Sequence, residues 1–233
     1  MRRFYKHATA VEIDGGFGVA LDAKPMQTPA RQPLLVPAAG LAAALADEWN
    51  AQGETIARDG MRLTRLVCTA IDRVPHHRGA FLDELAGYGE SDLVCYRAER
   101  PRSLIERQAA AWDPLIAWAA HTHGAALRVT QGVRPIEQPA EAVARLRTAA
   151  DVLDPFRLAA LQLATTASGS LVLALALVVE HLDAAAAWEA SQVDEAFQIE
   201  QWGEDAEFER QRAARRADIE AAARAVRHLR GDA

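Results

Sequence analysis

The acids of QIEQWGEDAEFERQ, residues 198–211, are the densest set of groups in the chain that could do chemistry: Glu200, Glu204, Asp205, Glu207 and Glu209. In one continuous helix, spacings of four and three would put Glu200, Glu204 and Glu207 on a single face. Like charges so placed cost about 0.2–0.5 kcal/mol per pair. A metal site, a proton-transfer site, a docking surface and a plain solvated face are the four readings. A dinuclear bundle site uses Glu-x-x-His pairs on two helices; none of these acids has a histidine three residues on, and no second such helix is present. Proton transfer wants carboxylates desolvated in a pocket, and five acids in so short a stretch cannot all be buried. A docking surface and a solvated face remain. Trp202 favours docking, because an aromatic anchor in a polar surround is the composition of a recognition patch. A core tryptophan is the competing reading.

Other candidates are weaker. His121 and His123 stand two apart at a helix end and point in different directions, and His76 and His77 follow a turn proline. No Walker loop, dinucleotide fingerprint, nucleophile elbow or His-Glu-x-x-His helix is present. Gly15, Gly16 and Gly18 read as a hairpin turn, since no helix start follows where a phosphate loop needs one. No catalytic residue, metal or cofactor is therefore expected.

The elements that would carry the acids follow from patterning. Half the 233 residues are apolar, enough for a real core. The net charge of -6 argues against nucleic acid as the partner. Cys68 and Cys95 have no metal or redox spacing and read as small buried hydrophobes in a reducing compartment. The start, MRRFYKHATAVEIDGG, reads as neither a signal peptide nor a transit peptide, so a cytoplasmic protein is expected. Residues 158–179 carry no charge and are long enough to span a bilayer, but Thr165, Thr166, Ser168, Gly169 and Ser170 interrupt them. Two buried helices meeting at Ser-Gly-Ser are expected, with no membrane insertion.

Residues 1–37 read as strands with turns at Gly15-Gly16 and Asp22-Ala23-Lys24-Pro25, and PLLVP as a short strand. Helical periodicity begins at residue 38, with Trp49 expected in the core against Leu41 and Leu45 or against the sheet. Further helices are expected over about 62–74, 77–88, 102–123 and 140–153, and from Pro155 after an Asp154 cap. A last helix runs from an Asp183 cap as far as His228, broken or bent near Gly203. ALRVTQGVRPI alternates like a strand; near 126–136 it either returns to the N-terminal sheet or forms a hairpin. The fold class is α+β: a small β-rich N-terminal domain over 1–58, then a mainly α-helical domain over 59–233.

Seven patterns, in order and with their spacing, resemble the Atp12 family: RFYK at 3–6, LD-x-K-P-x-x-TP at 21–29, LA-x-x-LADEW-x-x-Q at 41–52, TRL-x-x-TAID at 64–72, SDLVCYRA at 91–98, RQ-x-x-x-WDPL at 107–115 and FQ-x-x-x-WGED at 197–205. The resemblance implies an assembly chaperone that binds the unassembled α subunit of F1 ATP synthase, with a small mixed β domain before an α-helical one, and a bacterial-type member. It also implies that Glu195, Trp202, Gly203, Glu204, Asp205 and Glu207 contact that subunit. A free α subunit exposes the surface that later meets β, and such surface is sticky. An enzyme using the acidic helix, or a scaffold for another partner, are the alternatives. The chaperone is expected to be a monomer.

Overall fold

The computed structural model describes residues 1–132 and 134–230. The fold is α+β, a small N-terminal sheet followed by helices. The chain divides into two compact units. The first is Met1–Arg78, Asp154–Ala160 and the chain from Ala221; the second is Gly79–Leu153 and Leu161–Glu220. The first unit includes the next helix and takes in two segments distant in sequence, which no local composition announces.

In the first unit, β1 (Ala8–Ile13) and β2 (Gly16–Leu21) form the expected antiparallel hairpin, in register from Ala8 opposite Leu21 to Ile13 opposite Gly16. Gly16 is required at the turn: its φ is +156°, and a Cβ there would lie 2.6 Å from the Val36 carbonyl. β3 (Lys24–Pro25) and β4 (Leu35–Val36) both pair with β2. On this sheet packs α1 (Ala39–Asn50), burying Leu41, Ala42 and Leu45, while α2 (Arg62–Asp72) buries Leu63, Leu66 and Val67. Each buried leucine contributes roughly 1.5–3 kcal/mol over an exposed one.

The motif residues of this unit are fasteners. Glu48 accepts from the Leu63 N–H (2.9 Å), the Thr64 N–H (2.8 Å) and the Thr64 hydroxyl (2.6 Å), so a carboxylate from α1 caps the start of α2. Thr28 donates to Asp72 (2.5 Å), and the Arg3 guanidinium donates to the Gln52 carbonyl (2.6 Å). Asn50 accepts from the Ala8 N–H and donates to its carbonyl, both at 2.8 Å, as a neighbouring strand would. Trp49 is only half-buried, at the end of α1. Its indole N–H donates to the Thr64 hydroxyl (3.1 Å), a bond that holds it at the edge, and its ring meets Tyr5 edge-on.

α3 (Val74–Glu90) and α6 (Pro155–Ser168) run from the first unit into the second. The second unit contains α4 (Arg102–His123), α5 (Ala140–Asp151), α7 (Leu171–Val178), α8 (Ala184–Ser191) and α9 (Val193–Trp202), and α10 (Ala206–His228) begins in it. All eight residues of α7 are buried. Gly169, at φ +75°, ends α6, and the Ser170 hydroxyl accepts from the Leu173 N–H to start α7. The charge-free run is thus two helices with a Ser-Gly-Ser break, and no described helix is long and apolar enough to cross a membrane. Asp92 is fully buried and accepts from the N–H groups of Val94 (3.2 Å) and Val172 (3.0 Å), so it caps the Leu93–Cys95 turn and the start of α7 together. Burial pushes its carboxyl up to about 6, against the opposing pull of its hydrogen bonds.

Two expectations are corrected. The strand within 126–136 is β6 (Thr130–Gln131), which pairs in parallel with β5 (Tyr96–Arg97), not with the N-terminal sheet and not as a hairpin. The last helical stretch breaks at Gly203 as expected but also at Gln192, and so forms three helices, α8, α9 and α10. Gln192 (φ −113°, ψ 13°) leaves helical geometry although no glycine or proline marks it, and its side-chain oxygen accepts from Arg212 of α10.

Candidate functional site

The residues expected to dock a partner lie on α9, on α10 and in the elbow between them. α4 carries the mount. Gln108 and Trp112, four apart, share one face of α4, and Arg107 adjoins it. Trp112 is completely buried and donates its indole N–H to the Ala190 carbonyl at 2.7 Å, holding the end of α8. Gln108, also buried, accepts from the Ala98 N–H (2.8 Å) and donates to Asp194 (2.6 Å) in the first turn of α9. Burial raises the Asp194 carboxyl above its ordinary range, and the Gln108 bond pulls it back. Arg107 pairs with Glu200 at 2.7 Å and lies over the Phe197 ring. That hydrogen bond lowers Glu200 and raises Arg107. Behind this row, Arg97 is buried over the Trp112 ring, 2.9 Å from Asp113, with burial lowering its pKa. Three of the sequence patterns, at 91–98, 107–115 and 197–205, therefore close on one another.

Past Gln201 the chain presents Trp202, which is 79% exposed. Gly203 follows at φ +81° and ψ −176°, a conformation essentially confined to glycine. Asp205 accepts from the N–H groups of Glu207 and Phe208, both at 2.9 Å, and so caps α10. The elbow breaks the expected stripe: Glu200, Glu204 and Glu207 do not share one helical face, because residues 203–205 are not helical. Each of these acids instead meets an arginine. Glu200 pairs with Arg107, Glu204 with Arg212 at 2.9 Å, and Glu207 with Arg210, whose hydrogen bond lowers it. Glu195 pairs with Arg215 at 3.4 Å. The anticipated like-charge repulsion is relieved within the chain.

Trp202 is the competing core tryptophan only in sequence; in the structure it faces solvent. Arg107, Gln108, Arg212 and Arg215 hold the expected docking residues in place, and residue type alone does not single them out. For the first two the signal was present as the RQ-x-x-x-W spacing. For the arginines of α10 it was not, since they sit among several others on that helix. Among the described residues no group of three His, Cys, Asp or Glu side chains could hold a metal ion, and Cys68 and Cys95 are free thiols.

The model of the ATP12 chaperone protein family matches residues 2–120. The crystal structure of Atp12 from Paracoccus denitrificans is 42% identical, with 98% of each chain covered and a TM-score of 0.89. A candidate chaperone from Agrobacterium tumefaciens is 40% identical over 98% of this chain and 86% of its own, with a TM-score of 0.91. An aspartate-to-lysine mutant of the Paracoccus protein is 41% identical over 98% of this chain and 97% of its own, at a TM-score of 0.88.

Proposed function

The chain belongs to the ATP12 chaperone family, and from that premise we propose that it binds the unassembled α subunit of F1 ATP synthase and shields its subunit interface until the β subunit is available. It does so stoichiometrically, without catalysis, as a cytoplasmic monomer. The contact surface in this reading is the α9–α10 elbow: Trp202 and Gly203, with Glu195, Glu204, Asp205 and Glu207 around them.

The observation that carries the reading is the exposure of Trp202 at the end of a helix fastened to α4. An indole 79% exposed leaves apolar area in water that folding does not recover. The neighbouring α9 is pinned by Gln108 and Arg107, so little ordering is lost when a partner covers the indole. A mobile tryptophan would be a poorer anchor.

Co-expression with the α subunit of the same organism tests the proposal. The expected result is a one-to-one complex on purification and an α subunit that stays soluble. Recovery of the chain alone, with α in the insoluble fraction, would reject it.

A further inference from the structure

Arg212 stands apart from the other arginines of α10. Its side chain is 21% exposed and its partner Glu204 20%. One guanidinium joins three places: Nε donates to Gln192 Oε1 at 3.0 Å, Nη1 donates to Glu204 Oε1 and Oε2 at 2.9 and 3.1 Å, and the group lies 5.6 Å from the Trp188 ring centroid. Those contacts are the body of α8, the α8–α9 break and the α9–α10 elbow. Both non-helical joints that flank α9 therefore end on one side chain.

We propose that Arg212 is the positioning residue of the docking surface: a clasp that ties the joints at both ends of α9 to α10 and so sets how the elbow and the first turn of α10 lie beside Trp202. This rests on the reading that the elbow meets the α subunit. In this arrangement the part that Glu204 plays in that surface goes through Arg212, which holds its carboxylate.

The physical reasons are two. Gly203 has no side chain to hold its own conformation, and no atom stands within 4 Å of where a Cβ would be, so no packing at residue 203 fixes the elbow. Arg212 reaches it from α10, and a planar guanidinium that binds a carboxylate and a second acceptor at once is suited to hold it. Arg215 with Glu195 repeats the connection between α10 and α9 one turn further from the elbow. The remaining acids near Trp202 are differently engaged: Asp205 caps α10, and Glu207 is held by Arg210 and Gln211 on its own helix.

A clasp and a direct contact predict opposite results. Arg212→Gln frees the Glu204 carboxylate. If that carboxylate touched a basic partner, binding would hold or tighten. If Arg212 positions the elbow, affinity for the α subunit falls by about tenfold or more, a loss typical of a misplaced anchor. Amide hydrogen exchange, measured on the chain alone, rises at residues 203–208 at the same time. The variant Glu204→Gln, which removes the charge from the elbow's side of the pair, opens the same clasp and gives both effects. Exchanging the pair, Glu204→Arg with Arg212→Glu, recovers most of the affinity and of the protection. Equal or tighter binding by Arg212→Gln, or unchanged exchange at residues 203–208 in both single variants, overturns the proposal. The exchange arm needs no partner, so failure of wild type to bind α would reject the docking reading while leaving the clasp separately judged.

Discussion

Gln108 on α4 donates its side-chain N–H to Asp194 on α9 at 2.6 Å, across 86 residues of sequence, while its carbonyl accepts from the Ala98 N–H. One buried amide thus satisfies a strand end and a carboxylate at the start of the helix that leads to Trp202. Leaving a buried donor or acceptor unpaired costs about 1–3 kcal/mol each. Gln108→Ala should lower stability by about 2–4 kcal/mol in denaturant unfolding and raise hydrogen exchange in α9. A change within experimental error would mean that water replaces the amide without loss.

Asp92 should make stability depend on pH in an unusual direction for a carboxylate. Its pKa in the folded chain is about 6, against 3.8 for the free group, so the folded state holds the proton more tightly. Its stabilising contribution is full below about pH 4 and is lost as pH rises through about 6, by roughly 3 kcal/mol in all. Wild type and Asp92→Asn, unfolded by denaturant at pH 4 to 8, should show a stability difference that moves against wild type across that window and is flat above it. A difference that is constant over the window would contradict a buried, protonatable Asp92.

Glu48 reaches from α1 to three donors at the start of α2. Removing a helix cap costs typically about 1 kcal/mol, and a carboxylate beside a helix N-terminus adds up to about 1 kcal/mol more. Glu48→Ala should therefore lower stability by about 1–2 kcal/mol, with no change in affinity for the α subunit. Loss of binding at unchanged stability would mean that Glu48 faces the partner.

Gly203→Ala isolates the elbow's backbone. No atom would meet the new methyl, so the cost is conformational alone, about 1–3 kcal/mol for a non-glycine residue held there. The strain should be released locally: exchange rises from residue 203 into the first turn of α10 while the global melting temperature barely moves. A drop in the global transition would show that the elbow is part of the cooperative core.

What sequence reveals here is what is local. The Gly15-Gly16 hairpin, the Asp154-Pro155 helix start and the Ser-Gly-Ser break between α6 and α7 each come from residues acting within a few positions of themselves, and all three stand in the structure. What it hides is tertiary. The Gln192 break has no glycine or proline, only a side chain claimed by Arg212 twenty residues on. The acidic stripe looked repulsive because Arg107, 93 residues from Glu200, cannot be paired with it by inspection. β6 found β5 and not the first sheet, since a two-residue strand carries no information about its partner. Trp49 looked like core from its helical spacing, and its half-exposed position follows from the Thr64 hydroxyl that its indole N–H needs.

The central claim is that an exposed indole on a held elbow meets the α subunit. The most direct measurement is the affinity of the purified chain for the α subunit of its own organism, wild type beside Trp202→Ala, with melting temperatures taken in parallel. Trp202 is 79% exposed, so its removal should leave the melting temperature essentially unchanged. Loss of a central aromatic anchor costs about 2 kcal/mol or more, so affinity should fall by about thirtyfold. Equal affinity for the two proteins at equal stability would contradict the account and move the docking surface away from the elbow.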